Sequence, residues 1–520
     1  MKTQNEHSRT VLSRRQILAL SGGGAIVGLL GLPTFAEEAV AAGGILKVAA
    51  PSNPSSLDPA TGGSGNDHSI LWTMYDTLVE WDYEALMPAP GLAEWSFTGP
   101  TTLVLDIRKD VTFHDGTSLD AEAVKFNLDR NRGDARSNIK SDLASIDTVE
   151  VTGPLQVTIK LKSADTALPA ILSDRAGMMV SPANIKALGE DTNRKPVGAG
   201  PWKFVSWADN ENVIVTRNET YWRAGMPKLD GIEFRIIPEA ATALRSVAAG
   251  EQDMAFTLPS RLKPVIARTP DLQEIVAPTL ACLQIYFNYG RAPLDNPKVR
   301  QAINFAIDRS AFVAVGMGGL GEAAATVLPK AHWAYDESVA DLYPHDPDKA
   351  RALLAEAGFK DGVELSLGSY SDQDWVLRSE IIQSQLEAVG FRVKFTRGTV
   401  ADISGQYFGN EKKFDGLLSL WTGRPDPSMT FSSLFAEGAF YNAGRGAEAE
   451  LSSLLQQSRS NEDMQSRAVI FGGIQRFVME NALFAPLAFQ FELDALAARA
   501  KGYRPNLLGK PKFNDMHIAA

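Results

Sequence analysis

The sequence predicts an α/β protein with two large domains, on three observations. The chain of 520 residues is longer than one hydrophobic core usually supports. Residues 363–395 show apolar periods in the order strand, helix, strand, which is typical of a βαβ unit. Two further segments begin with a capping residue and a proline and then continue with one apolar helical face.

Strand and turn patterns open the N-terminal half. Residues 44–50 (GILKVAA) read as a buried strand, and residues 103–108 (LVLDIR) partly alternate as a second strand. The segment 114–116 (HDG) predicts a turn, because Asp-Gly is a strong turn signal. Asp120 is then placed to cap the helix that follows.

The C-terminal half contains clearer helices. Asn296 can cap a helix that has Pro297 at its first position. Its apolar face is formed by Val299, Ala302, Ile303, Ala306 and Ile307. The pair Asp346-Pro347 predicts a second such helix, which Gly358 ends in a left-handed cap.

The predicted βαβ unit points to a ligand edge. Strands are expected at 363–367 and 391–395, with a helix between them that stops at Gly390. A further strand is expected at 414–420. Since ligands of open α/β sheets bind beyond the carboxyl ends of strands, the residues after 420 are candidates for a site.

The N-terminus has the pattern of a twin-arginine export signal. Residues 13–18 (SRRQIL) are followed by a short apolar run, and residues 39–41 (AVA) fit a cleavage site. The apolar run is shorter than the roughly 20 residues that a membrane-spanning helix needs. We therefore expect residues 1–41 to be removed during export.

Charge and cysteine content narrow the class of protein. Removing the signal changes the net charge from −11 to −12, and an acidic chain argues against nucleic-acid binding. Cys282 is the only cysteine, which excludes an intramolecular disulfide and a cysteine zinc cluster. No cysteine stands at the cleavage site, so we expect a free periplasmic protein without a lipid anchor.

Common catalytic signatures are absent from the sequence. It contains no phosphate-binding P-loop, no H-E-x-x-H and no G-x-S-x-G. The histidines are scattered without metal-ligand spacing: His7, His68, His114, His332, His345 and His517. We expect neither an enzyme nor a bound cofactor or metal.

Six segments together resemble a known family. They are residues 86–95 (LMPAPGLAEW), 111–124 (VTFHDGTSLDAEAV), 196–204 (PVGAGPWKF), 217–222 (RNETYW), 299–309 (VRQAINFAIDR) and 350–359 (ARALLAEAGF). In kind and order they are similar to motifs of the periplasmic substrate-binding proteins of oligopeptide, dipeptide and nickel ABC importers, extracellular solute-binding protein family 5.

The resemblance implies two α/β lobes joined by a hinge that close around a ligand. It implies a first lobe at 42–280, with an inserted subdomain at about 70–190, and a second lobe at 281–487. Residues 488–520 are expected to return to the first lobe.

Residues 420–428 (LWTGRPDPS) form the most informative segment. In dipeptide-binding relatives the matching segment reads W-T-G-D, and its Asp holds the ammonium group of the peptide. This sequence keeps Trp421 and Gly423 but has Arg424 at that position. Because a guanidinium suits carboxylate or phosphate, our hypothesis is that Arg424 binds an anionic group beside a Trp421 wall. The alternative is that Arg424 pairs with Asp426 and only shapes the loop.

Other ligand-binding candidates rest on position alone. They are Asn66, Asp67, His68, Asn288, Tyr289, Trp375 and Arg378. The first three lie in a Gly-rich loop, the next two near the expected lobe crossover, and the last two at a helix start, where anions are favoured. A solvated loop, core packing or plain surface is the alternative for each.

These observations predict a solute-binding component of an ABC importer that captures a small peptide or peptide-like, carboxylate-bearing solute in the periplasm. Expected partners are the permease subunits of the inner membrane and the twin-arginine export machinery, and the chain is expected to be a monomer. The alternatives are a nickel-type metal-chelate binder on the same fold, a periplasmic hydrolase, and a receptor or chaperone for unfolded segments.

Overall fold

Strands and helices are interspersed along the chain. The computed structural model describes residues 43–62, 65, 67–444, 446 and 448–519. The predicted export signal and Asn66 lie outside the described residues. The strands are β1 (Ile45–Ala50), β2 (Val79–Asp82), β3 (Met87–Pro90), β4 (Ala93–Gly99), β5 (Thr102–Ile107), β6 (Ile146–Gly153), β7 (Gln156–Leu161), β8 (Trp202–Ala208), β9 (Asn212–Arg217), β10 (Gly231–Ile236), β11 (Met254–Ala255), β12 (Leu272–Phe287), β13 (Gly321–Ala323), β14 (Val363–Tyr370), β15 (Phe391–Gly398), β16 (Gly416–Trp421), β17 (Phe484–Ala497), β18 (Ala500–Lys501) and β19 (His517–Ile518).

The α-helices alternate with these strands along the chain. They are α1 (Asp67–Met74), α2 (Ala121–Gly133), α3 (Leu168–Ile171), α4 (Pro182–Leu188), α5 (Ala240–Ala248), α6 (Lys263–Ile266), α7 (Pro297–Ala306), α8 (Arg309–Ala311), α9 (Pro347–Glu356), α10 (Gln373–Glu387), α11 (Val400–Phe408), α12 (Pro427–Phe435), α13 (Ala449–Ser458) and α14 (Met464–Glu480). Short 3₁₀ turns occur at Arg175–Gly177, Gly189–Asn193, Ser260–Leu262 and Glu337–Val339, and a π-helical turn at Phe312–Gly316. Within the described residues, no helix combines the length and apolar character needed to cross a membrane.

One large sheet connects the N-terminal and C-terminal parts of the chain. Its strand order is β15-β14-β16-β12-β17-β11-β1-β10-β9-β8, with β13 added on β17. We call β1 and β8 to β11 the first half of the sheet, and β14 to β16 the second half. In each half the inner strands are parallel: β1 pairs with β10 and β11, and β14 pairs with β15 and β16.

The long strands β12 and β17 join the two halves. They pair antiparallel along most of their length, from Leu272 with Ala497 to Tyr286 with Phe484. The register shifts between Pro278 and Cys282, where the ladder is interrupted. Such an irregularity bends a strand and increases its twist. The segment 278–282 is therefore the crossover between the halves.

A separate antiparallel sheet lies beside the first half, with the order β4-β5-β7-β6. Alternate residues of β5 and β7 are buried, among them Leu103, Leu105, Val157 and Ile159. Helix α2 supplies Val124 and Leu128 to the same hydrophobic cluster. This sheet falls inside the predicted insertion at about 70–190, whose limits stay a prediction.

The capping and βαβ signals in the sequence are confirmed by the structure. Asp120, Asn296 and Asp346 cap α2, α7 and α9 by accepting backbone N–H bonds. The expected βαβ unit is β14–α10–β15, with parallel strands. Gly390 lies between α10 and β15 and has a φ of 112°, a value that favours glycine. The strand expected at 414–420 is shifted by one to two residues, so that Trp421 ends β16.

Gly423 packs directly against the crossover. Its φ is 72°, and a Cβ atom there would lie 2.5 Å from the Cβ of Leu280. The backbone N–H of Leu280 donates to the carbonyl of Leu507, 2.7 Å away. The crossover is thus held between the loop after β16 and the C-terminal segment, and only glycine fits at position 423.

Replacing Gly423 with alanine is expected to lower the free energy of unfolding by about 2–4 kcal/mol, because a clash is added to the strain of a positive φ. Gly438→Ala is the matched control, since Gly438 has a φ of 69° and no atom within 4 Å of the point that its Cβ would occupy. The control is expected to cost only about 1 kcal/mol. Urea unfolding measures both, and equal losses would contradict the proposed clash.

Candidate functional site

The carboxyl ends of two parallel strands meet at one edge of the second half. β14 ends at Tyr370 and β16 at Trp421. The two strands are tied together there, because the hydroxyl groups of Tyr370 and Ser419 lie 2.7 Å apart. Helix α10, which carries Arg378, and the loop that carries Arg424 therefore follow the sheet at the same edge, which is where open α/β sheets bind ligands.

Trp421 forms a buried wall beneath Arg424. Its side chain is buried, and its indole N–H donates to the hydroxyl of Thr430. The guanidinium carbon of Arg424 lies 4.7 Å from the Trp421 ring centroid, within cation–π distance. Tyr441 packs edge-on against the same indole, with ring centroids 5.3 Å apart. The indole is fixed on several sides and holds the guanidinium in place.

Arg424 makes only local hydrogen bonds among the described residues. Its Nη1 donates to the hydroxyl of Thr422 at 3.1 Å and to the carbonyl of Gly423 at 2.8 Å. The structure does not contain the pair with Asp426 that the alternative interpretation required. Within the described part of the chain, Nε and Nη2 have no hydrogen-bonding partner, so donors of this cation remain available for a ligand.

Asp426 is engaged in structural contacts instead. Its carboxylate accepts from the backbone N–H of Ser428 at the start of α12. The same carboxylate receives the guanidinium of Arg467 at 2.8 Å on both oxygens. Both side chains are buried. Asp426 therefore fixes α12 beside a cavity of 180 Å³ that is also lined by the aromatic residues Trp81, Trp95, Phe97 and Trp333.

Charged groups from the N-terminal and C-terminal segments surround Arg424. Burial, the largest effect, raises the pKa of Asp142, and Arg424 lowers it. Burial also lowers the pKa of Lys510, with Asp174 acting in the opposite direction and Arg424 in the same one. The pKa of Asp174 is lowered overall, because its cationic neighbours outweigh the effect of burial. This edge thus brings together charges from segments that are distant in the sequence.

The predicted loop residues Asp67 and His68 belong to a helix instead. They begin α1, which corrects the expected loop. Asp67 is fully buried and accepts hydrogen bonds from the backbone and hydroxyl of Ser55. The Nε2 atom of His68 lies 3.0 Å from a carboxylate oxygen of Asp174. Burial is the main cause that lowers the pKa of His68. The side chains of Asp67 and His68 are therefore both buried and have a structural role.

Trp375 and Arg378 line a second cavity, of 200 Å³. The Arg378 guanidinium lies 5.0 Å from the centroid of Trp375, and its Nε donates to the carbonyl of Gly316. The cavity is enclosed by segments from both sides of the crossover. Its lining consists of Thr257, Leu258, Pro259, Ser260, Met317, Leu320, Asp372, Asp374, Trp375, Arg378, Gln490, Phe491 and Glu492. Three carboxylates and one guanidinium make this lining acidic, which argues against the anion preference expected at the helix start.

Asn288 and Tyr289 lie away from this edge, which is a second correction. The crossover is at 278–282, whereas these residues follow the opposite end of β12. Five register steps separate the pair of Cys282 and Trp421 from the end of the strand, or about 17 Å. The hydroxyl of Tyr289 donates to Asn442 and Gly446 there. Both residues have a packing role at that end.

Several site residues had no signal in the sequence. They are Asp142, Asp174, Glu492 and Lys510. No sequence motif marks any of them, and each lies near this edge only because the chain folds back on itself. Glu492, like Gln490 and Asp494, interrupts an otherwise apolar strand sequence, which is a weak sign of a buried polar role. Among the described residues no group of three or more His, Cys, Asp or Glu is arranged to hold a metal ion.

Glu492 and Asp494 make stability depend on pH. Burial, followed by Asp494, raises the pKa of Glu492 from 4.5 to about 7. Burial raises the pKa of Asp494 from 3.8 to about 6. Both groups hold their protons more tightly in the folded state. Their contribution to stability is therefore complete below about pH 4 and is lost as the pH rises to about 7.

We expect Glu492→Gln to reduce this loss between pH 5 and pH 8, by up to about 3 kcal/mol, since one titrating group is removed. Thermal unfolding across the pH range measures the effect. Glu364→Gln is the control, because the side chain of Glu364 is 86% exposed. A Glu492→Gln profile with the wild-type slope would show that the pKa of this carboxyl is not raised in the folded state.

Comparison with known proteins identifies the family of the chain. The family described as "Bacterial extracellular solute-binding proteins, family 5 Middle" matches residues 87–442. The glutathione-binding protein GsiB of Salmonella paratyphi A is 29% identical over 474 residues, which cover 88% of this chain and 91% of GsiB.

Solved structures share the fold at lower identity. The periplasmic binding protein DppA of Helicobacter pylori, in complex with the peptide STSA, has a TM-score of 0.79 at 22% identity, over 92% of this chain and 98% of its own. AgaA of A. tumefaciens R10, in complex with agropinic acid, has a TM-score of 0.78 at 23% identity, over 92% and 99%. NikZ of Campylobacter jejuni, in complex with Ni(L-His), has a TM-score of 0.76 at 23% identity, over 90% and 97%. The fold is the two-lobed α/β fold of periplasmic binding proteins, and the chain belongs to the bacterial extracellular solute-binding proteins of family 5.

Proposed function

We propose that this protein is the solute-binding component of an ABC importer and that it captures a small peptide or peptide-like solute bearing a carboxylate. The observation that carries the proposal is Arg424, held over a buried indole with unused donors at the carboxyl edge of the second half. A planar guanidinium in this position suits a carboxylate in two-point contact. The loaded protein then delivers the solute to a membrane permease.

The names of relatives support a ligand of this size and chemistry. They include a glutathione-binding protein and proteins solved with a short peptide and with agropinic acid. The ligand would lie between the two halves, which we take as lobes with limits near residues 42–280 and 281–487. Residues 488–520 would complete the first lobe. The crossover strands would act as the hinge.

Replacing Arg424 with alanine is expected to weaken binding of a carboxylate-bearing solute by roughly 30-fold or more, because a desolvated charge partner is lost. Isothermal titration with glutathione and with a dipeptide library provides the measurement. Ni(L-His) serves as the competing probe, and a turnover assay on each bound solute tests for hydrolysis.

The control for this variant is Arg194→Ala. Arg194 also stacks on an indole, with its guanidinium carbon 3.5 Å from the Trp207 centroid, and it pairs with Asp209. It does not line the cavities of the site described above. Wild-type affinity in a folded Arg424→Ala protein would overturn the proposed role of Arg424.

We also propose export by the twin-arginine route, on the pattern at 13–18. Replacing Arg14 and Arg15 together with lysine keeps the charge and is expected to abolish export, because the signal is read by a receptor. Cell fractionation with an antibody to the protein measures its location. Full export of the double variant would exclude this route.

A further inference from the structure

The acidic cavity beside the crossover contains a carboxylate without a counter-charge. Glu492 lies on β17 and is 9% exposed. Among the described residues it forms no ion pair with a lysine, arginine or histidine, and its hydrogen bonds with Thr257 and Gln490 involve uncharged side chains. A Cβ atom on Gly509 would lie 3.3 Å from its Oε2 atom, so the C-terminal segment covers one side of the carboxylate. A buried carboxyl group without a cation is costly to ionise, and a cationic group in the cavity would offset that cost.

The other charges of the cavity are already engaged. Asp374 pairs with Arg261 at 3.3 Å, and Asp372 caps α10 through the backbone N–H of Trp375. The guanidinium of Arg378 is held by Gly316 and by the ring of Trp375. Glu492 is the lining carboxylate that these contacts leave without a charged or capping partner, and it borders open space of 200 Å³.

The backbone next to Glu492 is held in an unfavourable conformation. Thr257 lines the same cavity with a φ of 57°, which a β-branched residue rarely adopts. Its N–H donates to the carboxylate of Asp494 at 3.0 Å, and that carboxylate also receives the hydroxyl of Tyr503 at 2.7 Å. Asp494 is thus used in holding this segment, and Glu492 is the carboxylate that faces the cavity. Strain of this kind is concentrated at ligand-binding sites.

We propose that Glu492 binds a protonated amine of the solute in the cavity formed with Thr257 and Trp375, so that the solute is a zwitterion with its amine at the crossover and its carboxylate at Arg424. Trp375 contributes an aromatic wall to the amine end. The inference rests on the proposed function, because it assigns one end of the solute that the protein would carry.

The test uses the full-length mature protein and two probes, a library of di- and tripeptides with free amines and the same library N-acetylated. Wild-type protein is expected to be stabilised in thermal unfolding by the free-amine library and not by the acetylated one. Titration with the best free-amine peptide is expected to show roughly a 10- to 100-fold weaker affinity for Glu492→Gln, because an opposite charge is removed from a desolvated site.

Glu364→Gln is the control, as it removes a carboxylate whose side chain is 86% exposed and which lies outside this cavity. It is expected to retain the preference for a free amine. Equal binding of both libraries to wild-type protein, or an unchanged preference in Glu492→Gln, would overturn the inference. So would the absence of binding by either library; in that case native mass spectrometry for a co-purified solute decides the proposed function separately.

A pH profile gives an independent readout. The groups that face Glu492 are Asp494 and Tyr503, together with Asp372, Asp374 and Arg378 across the cavity. The carboxylate must be ionised to hold an amine, and its pKa in the free protein is raised to about 7. Affinity is therefore expected to fall roughly 25-fold from pH 7.5 to pH 5.5 in the wild type, and this fall is expected to disappear in Glu492→Gln. If Glu492 had only a structural role, the wild type and Glu492→Gln would show the same dependence of affinity on pH.

Discussion

The pairing of β12 with β17 is the constraint on which the rest of the molecule depends. These two strands connect the two halves of the sheet. Their backbone groups form hydrogen bonds with each other on either side of the crossover. Where their ladder is interrupted, at 278–282, the polar backbone is met by the loop of Gly423 and by Leu507. The crossover is therefore held from two sides by segments that are distant in the sequence.

The charged residues beside the crossover are separated by sign. At one end Arg424 is supported by a buried indole, and Lys510 and Asp174 influence one another through space. At the other end the lining is acidic and contains Glu492. Burial disfavours the charged forms of Lys510 and Glu492, and an opposite charge on a solute would offset this lost hydration. A zwitterion of peptide size fits this polarity.

Local structure could be predicted from the sequence because its signals act over short distances. Asp120, Asn296 and Asp346 cap helices through hydrogen bonds to residues two or three positions away. The alternation and helical periods of residues 363–395 predicted a βαβ unit that the structure contains. The position of Trp421 at a strand end followed from the same reasoning.

The sequence by itself therefore determined the elements, their order and the family, and it marked Arg424 as the informative cation. Only the tertiary structure decided the partners: Asp426 pairs with Arg467, His68 supports Asp174, and Asn288 lies at the far end of its strand. The physical reason is that these contacts join segments tens to hundreds of residues apart. Caps and periodicity contain no information about which distant charge will share a cavity.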